Sequence, residues 1–380
     1  MDSLKFQTLC VHSGSYRDPK TRGTTSPIFP STAYEYLGSE ERPYPRYFNT
    51  PNQEILVRKL CALERGEDGV VFSSGMAAIS TTFLALLKAG EHAVIQDDIY
   101  GGTRSFVTGR FPALGFRYTL VERDLAAIEA AILPETRLIY VESPTNPTLN
   151  IVDLHRVAEL ARSRGLASLI DNTFASPVNQ NPLALGIDAV IHSGTKYLGG
   201  HSDLTSGAVV TSRELADRIR AAATNLGGNL NAQSCHLLER SLKTLSLRVE
   251  RQTENAGRIA EFLERQPGVK RVNYPGLKNH SGHDLARAQM KGFGAMLSFE
   301  VDPQLMGATQ YMRALRLIRP AMSLGGVEST ICDPATTSHR HVPAEARQRL
   351  GISAGLLRLS VGIEHSDDLI ADLRQAFGRQ

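Results

Sequence analysis

Short apolar runs rich in β-branched residues punctuate the first half of the chain: GVVFSS from Gly69, HAVIQDD from His92, RLIYVES from Arg137, LASLIDNT from Leu166, DAVIHSG from Asp188 and GAVVTS from Gly207. None alternates strictly between apolar and polar positions, so each predicts a strand covered on both faces. Helical patterns lie between them. In DLHRVAELARSRG, Asp153 is placed to cap the start and Gly165 to close the end. Strands alternating with helices predict an α/β domain with a mostly parallel sheet. From about residue 236 a long helical pattern carries Leu238, Leu242, Leu245 and Val249, and is expected to bridge to a second domain. Beyond it GAMLSFEV and LLRLSVGIE read as strands, and SDDLIADLRQAFG as a closing helix capped by Ser366 with acids in its first turn. This predicts a smaller α+β C-terminal domain. The first fifty residues show no clear period and read as an arm that needs another surface to lie on.

Length and charge narrow the class. A chain of 380 residues, 42% hydrophobic, buries a large core and is expected to divide in two. Its 42 basic and 39 acidic side chains leave a net charge of +3 without blocks of one sign, which points away from nucleic acid or an anionic membrane and toward small molecules or other copies of itself. Cys10, Cys61, Cys235 and Cys332 form no C-x-x-C pair, so neither a zinc site nor a disulfide scaffold is expected. That usage fits a reducing cytoplasm, and the start MDSLKFQTLCVHSG lacks the apolar core of a signal peptide. The uncharged run from Gly69 to Leu87 is long enough to raise the question of a membrane span. Serines and threonines interrupt it, and Gly75 reads as a turn between strand and helix.

Chemistry concentrates just after the strands, where ligands of open α/β sheets bind. SSGMAA puts the amides of Gly75 and Met76 at a helix start, a natural phosphate cradle, although small residues at such turns often serve packing alone. Tyr100 beside two glycines offers an aromatic face; ESPTNP presents Glu142 and Asn146; DNTFASP presents Asp171. HSGTKYLGGHSD then puts Lys196 at the end of an apolar run, where an ammonium loses hydration unless it is paired, neutralised or used. Three readings of that lysine compete: the S-x-x-K pattern of serine enzymes through Ser193, a Schiff-base lysine, or a polar turn. Phosphate cradle, aromatic plate, carboxylate and lysine together suit a planar aromatic aldehyde carrying a phosphate. Pyridoxal phosphate fits, with Lys196 as its Schiff-base lysine and Asp171 on its pyridine nitrogen.

SSGMAAI, YGGT, ESPTNP, DNTFASP, HSGTKYLGGHSD, SLGGVES and LLRLSVGIEH, in this order, resemble the Cys/Met-metabolism family of pyridoxal-phosphate enzymes, and within it cystathionine γ-synthases and γ-lyases. The resemblance runs from about Thr8 to the last helix. It implies the fold type I, aspartate aminotransferase-like architecture: an arm at 1–48 that contacts a neighbouring subunit, a cofactor-binding domain at 49–240 and a C-terminal domain at 241–380. The S-D-N and K-T-G partners of an S-x-x-K hydrolase are absent.

By that resemblance Lys196 holds the cofactor and moves protons, Tyr100 stacks on the ring, and Asp171 partners the pyridinium. Gly75, Met76, Ser193 and Thr195 match phosphate ligands, with Tyr44 and Arg46 reaching the phosphate of a neighbouring subunit. Arg358, Asn146 and Ser329 match the group that receives the substrate α-carboxylate, and Glu328 an acid that meets the distal ammonium of cystathionine. No metal is expected. The implied assembly is a homodimer with shared active sites, paired into a tetramer. Two departures stand out: the proline after Asn49 is shifted to Pro51, and Arg104 and Ser105 replace a pattern with arginine one residue later. The implied activity is γ-elimination of cystathionine to cysteine, 2-oxobutanoate and ammonia, with γ-replacement on an acylated homoserine as the alternative. Methionine γ-lyase and O-acetylhomoserine sulfhydrylase fit less well, the former because Gly101 and Gly102 stand where its cysteine is found.

Overall fold

The apolar runs form strands whose two faces enter different cores. In the computed structural model, which describes residues 4–340 and 342–378, they are β1 (Asp68–Phe72), β2 (His92–Gln96), β3 (Arg117–Val121), β4 (Thr136–Glu142), β5 (Ala167–Asp171), β6 (Ala189–Ser193) and β7 (Gly207–Thr211). The outermost residues of the expected arm and C-terminal domain thus lie outside the described residues. Ile95, Tyr140, Leu169 and Ile191 pack on one side of the sheet, and Val94, Ile139, Ile170 and Val190 on the other. Because side chains alternate across a strand, burial on both faces needs the unbroken apolar runs that the sequence carries.

The seven strands lie in the order β1-β7-β6-β5-β4-β2-β3. Only β7 opposes the rest, antiparallel to both β1 and β6. The ends of β5 and β6 therefore lie side by side, with Asp171 opposite Ile191. β3 pairs with β2 alone. Its exposed Arg117 and half-buried Tyr118 and Thr119 give it no apolar run to reveal it in sequence.

A second sheet joins β8 (Val269–Asn273), β9 (Met296–Val301), β10 (Arg319–Pro320), β11 (Thr330–Cys332) and β12 (Leu356–Ser360) in the order β10-β11-β12-β9-β8. Its pairs are antiparallel except β10 with β11. The fold is thus mixed α/β, with a large mostly parallel sheet and a smaller antiparallel one, as expected.

Capping chemistry sets several boundaries. Asp153 accepts from Arg156 N at the start of helix Leu154–Ser163, and Gly165 follows with φ +65°. The long pattern from residue 236 is two helices, Ala232–Leu242 and Leu245–Glu264, rather than one. The buried Arg248 explains how the break is tolerated, since Nη2 takes the Ser241 carbonyl at 2.9 Å and Nη1 the Tyr197 carbonyl at 2.8 Å. Leu238, Leu242, Leu245 and Val249 all point into the core across it. The closing helix spans Ser366–Phe377 with His365, not Ser366, at its cap, and Arg258 holds both Ser366 and Asp367.

The shifted Pro51 has a defined place. It is the first residue of helix Pro51–Glu64, where a missing amide is harmless, and Gln53 Oε1 accepts from Thr50 N at 3.1 Å. Ahead of it the first fifty residues contain helix Phe6–His12 and one turn of 3₁₀ helix at Pro45–Tyr47. Lys59 anchors the short helix from below: fully buried, it donates to the Cys10 carbonyl at 3.0 Å. No described helix is long and apolar enough to cross a membrane.

Candidate active site

Gly75, Met76, Tyr100, Asn146, Asp171, Ser193, Thr195, Lys196 and Arg358, expected from sequence, line one cavity between the two sheets. At its base Ser74 ends the turn after β1 and caps helix Gly75–Leu86 by accepting from Ala77 N at 3.1 Å. The amides of Gly75 and Met76, in the first helical turn, then have no intrahelical acceptor and face an anion with the positive end of the helix dipole. Gly75 must be glycine: a Cβ there would stand 2.8 Å from Ser193 Cβ. The close approach brings the helix start and the end of β6 together into one cradle.

Asp171, at the end of β5, is nearly buried and accepts from Thr173 N at 3.0 Å. Burial raises its pKa, opposed by the Thr173 hydrogen bonds and by His192 and Lys196. His192 projects from β6 to Glu64, with Nε2 2.5 Å from Oε1, both side chains buried. Glu142, at the end of β4, organises the opposite rim: its carboxylate accepts from Tyr100 N at 2.7 Å and Asn146 N at 2.8 Å. Burial, with Asp171 nearby, pushes its pKa well up. Gly102 leaves the space that the Tyr100 ring occupies, since a Cβ there would collide with the ring.

Lys196 Nζ donates to Ser323 Oγ at 2.7 Å rather than to Ser193, which removes geometric support from the S-x-x-K reading. Burial and the Arg358 guanidinium, opposed by Asp171, lower the lysine pKa to about 8. Arg358, on β12 and nearly buried, donates from Nη1 to Asn146 Oδ1 at 2.9 Å and from Nη2 to the Ser323 carbonyl at 3.2 Å.

Sequence reasoning missed Ser323. It holds Lys196 with its hydroxyl and Arg358 with its carbonyl, at φ +75°, a conformation uncommon for a residue other than glycine. Its neighbour Met322 lies at the cavity with 69% of its surface exposed. Thr337 and Ser338 close another side. The one sequence signal for Ser323 was its position at the head of SLGGVES, and Met322 stands just before that motif.

Two expected substrate residues are not at the cavity. Ser329 is buried, but its hydroxyl donates to Glu364 Oε2 at 2.9 Å and accepts from Gly362 N; Glu328 beside it is exposed. The chain turns through Gly325 and Gly326, and Val327 N binds the Gly200 carbonyl at 3.0 Å, so the two ends of SLGGVES face different surroundings. The Glu328 argument for a distal ammonium therefore has no support in the cavity. Arg104 is also elsewhere, its Nε donating to Asp97 Oδ1 at 2.8 Å while Arg349 binds the other oxygen. Tyr44 and Arg46 lie away from the cavity; Arg46 Nη1 donates to the Thr224 carbonyl at 2.8 Å. Among the described residues no cluster suits a metal ion.

An anion cradle, an aromatic plate, a buried carboxylate and a lysine of lowered pKa, set at the strand ends of a fold type I architecture, define a pyridoxal-phosphate enzyme. The donors fit that group, since the free first-turn amides and the Ser193 hydroxyl suit its phosphate, whereas the Thr195 hydroxyl donates to the Ser206 carbonyl at 3.2 Å and would have to turn from it to join them. The chain belongs to the family described as Cys/Met metabolism PLP-dependent enzyme, whose model matches residues 7–378. It is 43% identical to a Bacillus subtilis cystathionine gamma-lyase, covering 98% of this chain and 99% of the relative. A Lactococcus lactis cystathionine beta-lyase is 42% identical over the whole of both chains. A Mycobacterium bovis cystathionine gamma-synthase is 44% identical over 98% and 96%. The solved cystathionine gamma-lyase from Lactobacillus plantarum, complexed with L-serine, superposes with a TM-score of 0.96 at 41% identity over 99% of each chain.

Proposed function

We propose that the protein catalyses γ-elimination of cystathionine, giving cysteine, 2-oxobutanoate and ammonia. The observation that carries the chemistry is one cavity lined by Lys196, whose amine is bonded to Ser323, together with Asp171 and the Asn146–Arg358 pair, and the gamma-lyase relatives support γ-elimination as its use. Pyridoxal phosphate supplies an aldehyde for amine attachment and a ring that accepts the electrons released when an α-proton leaves. Lys196 would hold the aldehyde and, as a free amine, would carry protons at the substrate Cα and Cβ; in the cofactor-free chain burial and Arg358 lower its pKa to about 8. Asp171 would hold a proton on the ring nitrogen. Tyr100 would face the ring, and the amides of Gly75 and Met76 with the Ser193 hydroxyl would hold the phosphate, joined by Thr195 once its hydroxyl leaves the Ser206 carbonyl. Arg358, aimed by Asn146, receives the α-carboxylate in its planar fork.

The same residues would serve γ-replacement on an acylated homoserine, and the γ-synthase relative supports that as the second reading. The exposed arm with Tyr44 and Arg46 supports a homodimer with shared sites; pairing into a tetramer and a cytoplasmic location belong to the same reading. The division at 48/49 and 240/241 is part of this reading, the second boundary falling in the last turn of helix Ala232–Leu242. Product analysis tests it. Cystathionine should give 2-oxobutanoate and cysteine; pyruvate and homocysteine would establish β-elimination. Cystathionine formed from O-succinyl- or O-acetylhomoserine plus cysteine, without cleavage, would establish the synthase.

A further inference from the structure

Three polar side chains of helix Leu245–Glu264, Arg248, Gln252 and Asn255, stand at the i, i+4, i+7 spacing of one helix face, and all three are buried. Such a face is ordinarily apolar, since buried polar groups cost free energy unless they find partners. Each of these reaches a backbone carbonyl in a segment that adjoins a cavity residue. Arg248 Nη1 takes the carbonyl of Tyr197, directly after Lys196, at 2.8 Å. Gln252 Nε2 donates to the carbonyl of Gly326, three residues after Ser323, at 2.6 Å. Asn255 Nδ2 donates to the carbonyls of Gly362 at 3.1 Å and Glu364 at 2.8 Å, in the chain that leaves β12 after Arg358.

Gln252 holds the segment that the other two do not reach. Of its amide only Nε2 is bonded; Oε1 is buried without a hydrogen-bond partner among the described residues. A methionine would fill the same space without that cost, so what the glutamine adds is one donor. The donor acts where two loops are pressed together. Gly325 N donates to Ser360 Oγ at 2.8 Å, Val327 N donates to the Gly200 carbonyl at 3.0 Å, and a Cβ at Gly325 would stand 2.7 Å from Tyr197 N. Gln252 supplies the hold on the residue between them. The same segment presents Ser323, whose hydroxyl accepts from the Lys196 amine at 2.7 Å and whose carbonyl accepts from Arg358 at 3.2 Å.

We propose that Gln252 is a positioning residue: its amide fixes the Gly325–Gly326 turn against the segment after Lys196, and so sets the Ser323 hydroxyl where it holds the Lys196 amine ready for the cofactor. This deepens the reading above and rests on its assignment of the cofactor to Lys196. In the experiment the full chain, freed of cofactor, is mixed with pyridoxal phosphate and the change in cofactor absorbance is timed. Gln252→Met, which keeps length without a donor, should attach the cofactor about fivefold more slowly, consistent with one lost buried hydrogen bond. Gln252→His, which keeps a donor, should stay within about twofold of the parent. Ser323→Ala should also be slower by about fivefold, and adding Gln252→Met to it should change the rate by less than about twofold, because both act through one contact. A parent-like rate in Gln252→Met overturns the proposal, as does Gln252→His attaching as slowly as Gln252→Met. A further loss of about fivefold in the double variant also overturns it, since independent effects add. If Gln252→Met fails to fold, Gln252→His decides alone: a rate within its expected range supports the role, and a larger loss overturns it. Borohydride reduction of the reconstituted parent that labels another lysine would overturn this proposal and the Lys196 assignment together. A parent that attaches the cofactor at Lys196 but cleaves no cystathionine would overturn the functional reading alone and leave the rates readable.

Discussion

The two walls of the cavity are built on different principles. The wall made by the parallel sheet takes its residues from the ends of successive strands, Gly75 after β1, Glu142 on β4, Asp171 on β5 and Ser193 on β6 with Lys196 beyond it. The facing wall comes from loops, with Met322, Ser323, Thr337 and Ser338 from connections around the smaller sheet and only Arg358 from a strand. A parallel sheet gathers the carboxyl ends of its strands at one edge, so chain order alone locates its chemistry. An antiparallel sheet sends alternate strand ends to opposite edges, and no such rule applies.

Substitutions on the two walls test that contrast. Lys196→Ala should have the largest effect, a fall in kcat of about a thousandfold or more, given the usual scale of acid–base catalysis. Borohydride treatment of the parent should fix the cofactor to the peptide containing Lys196; labelling of another lysine would sink the assignment. On the other wall, Arg358→Lys keeps the charge and loses the fork. It should raise KM about tenfold to a hundredfold, the value of a charge-assisted hydrogen bond, while cofactor absorbance is kept. An unchanged KM would mean that the carboxylate binds elsewhere.

The next expected effect concerns pH. Attachment of the cofactor needs the neutral amine of Lys196, and its pKa in the cofactor-free chain is lowered from 10.5 to about 8. The amine is charged below that value and neutral above it. Reconstitution, followed by absorbance, should therefore speed up about tenfold between pH 7 and pH 9 and level off above. Continued acceleration to pH 10.5 would show an unperturbed lysine. Smallest of all should be Glu328→Ala, which is expected to change kcat/KM for cystathionine by less than about threefold, as for an exposed site away from bound groups. A tenfold loss confined to cystathionine would return Glu328 to the substrate.

Legibility in the sequence followed the same division. Strands buried on both faces announced themselves as apolar runs, and the functional groups behind them were found by looking just past each run. β3 escaped because an edge strand needs less apolar surface. On the loop wall, SLGGVES was legible as a motif but not as a shape. The positive φ of Gly325, where a Cβ would stand 2.7 Å from Tyr197 N, turns the segment so that Ser323 rather than Ser329 meets the cavity.

The contact of Gly75 with Ser193 bears on how such an enzyme can diversify. Where backbone meets side chain without room for one methyl group, the floor of the cavity tolerates almost no drift, and the ring it holds keeps a constant depth. At the rim, Met322 projects into open space and can be exchanged with little disturbance to the packing beneath. Chemical novelty in this scaffold therefore has an inexpensive direction, outward from a fixed reaction centre, and a search for altered substrate range should sample the rim and leave the floor untouched.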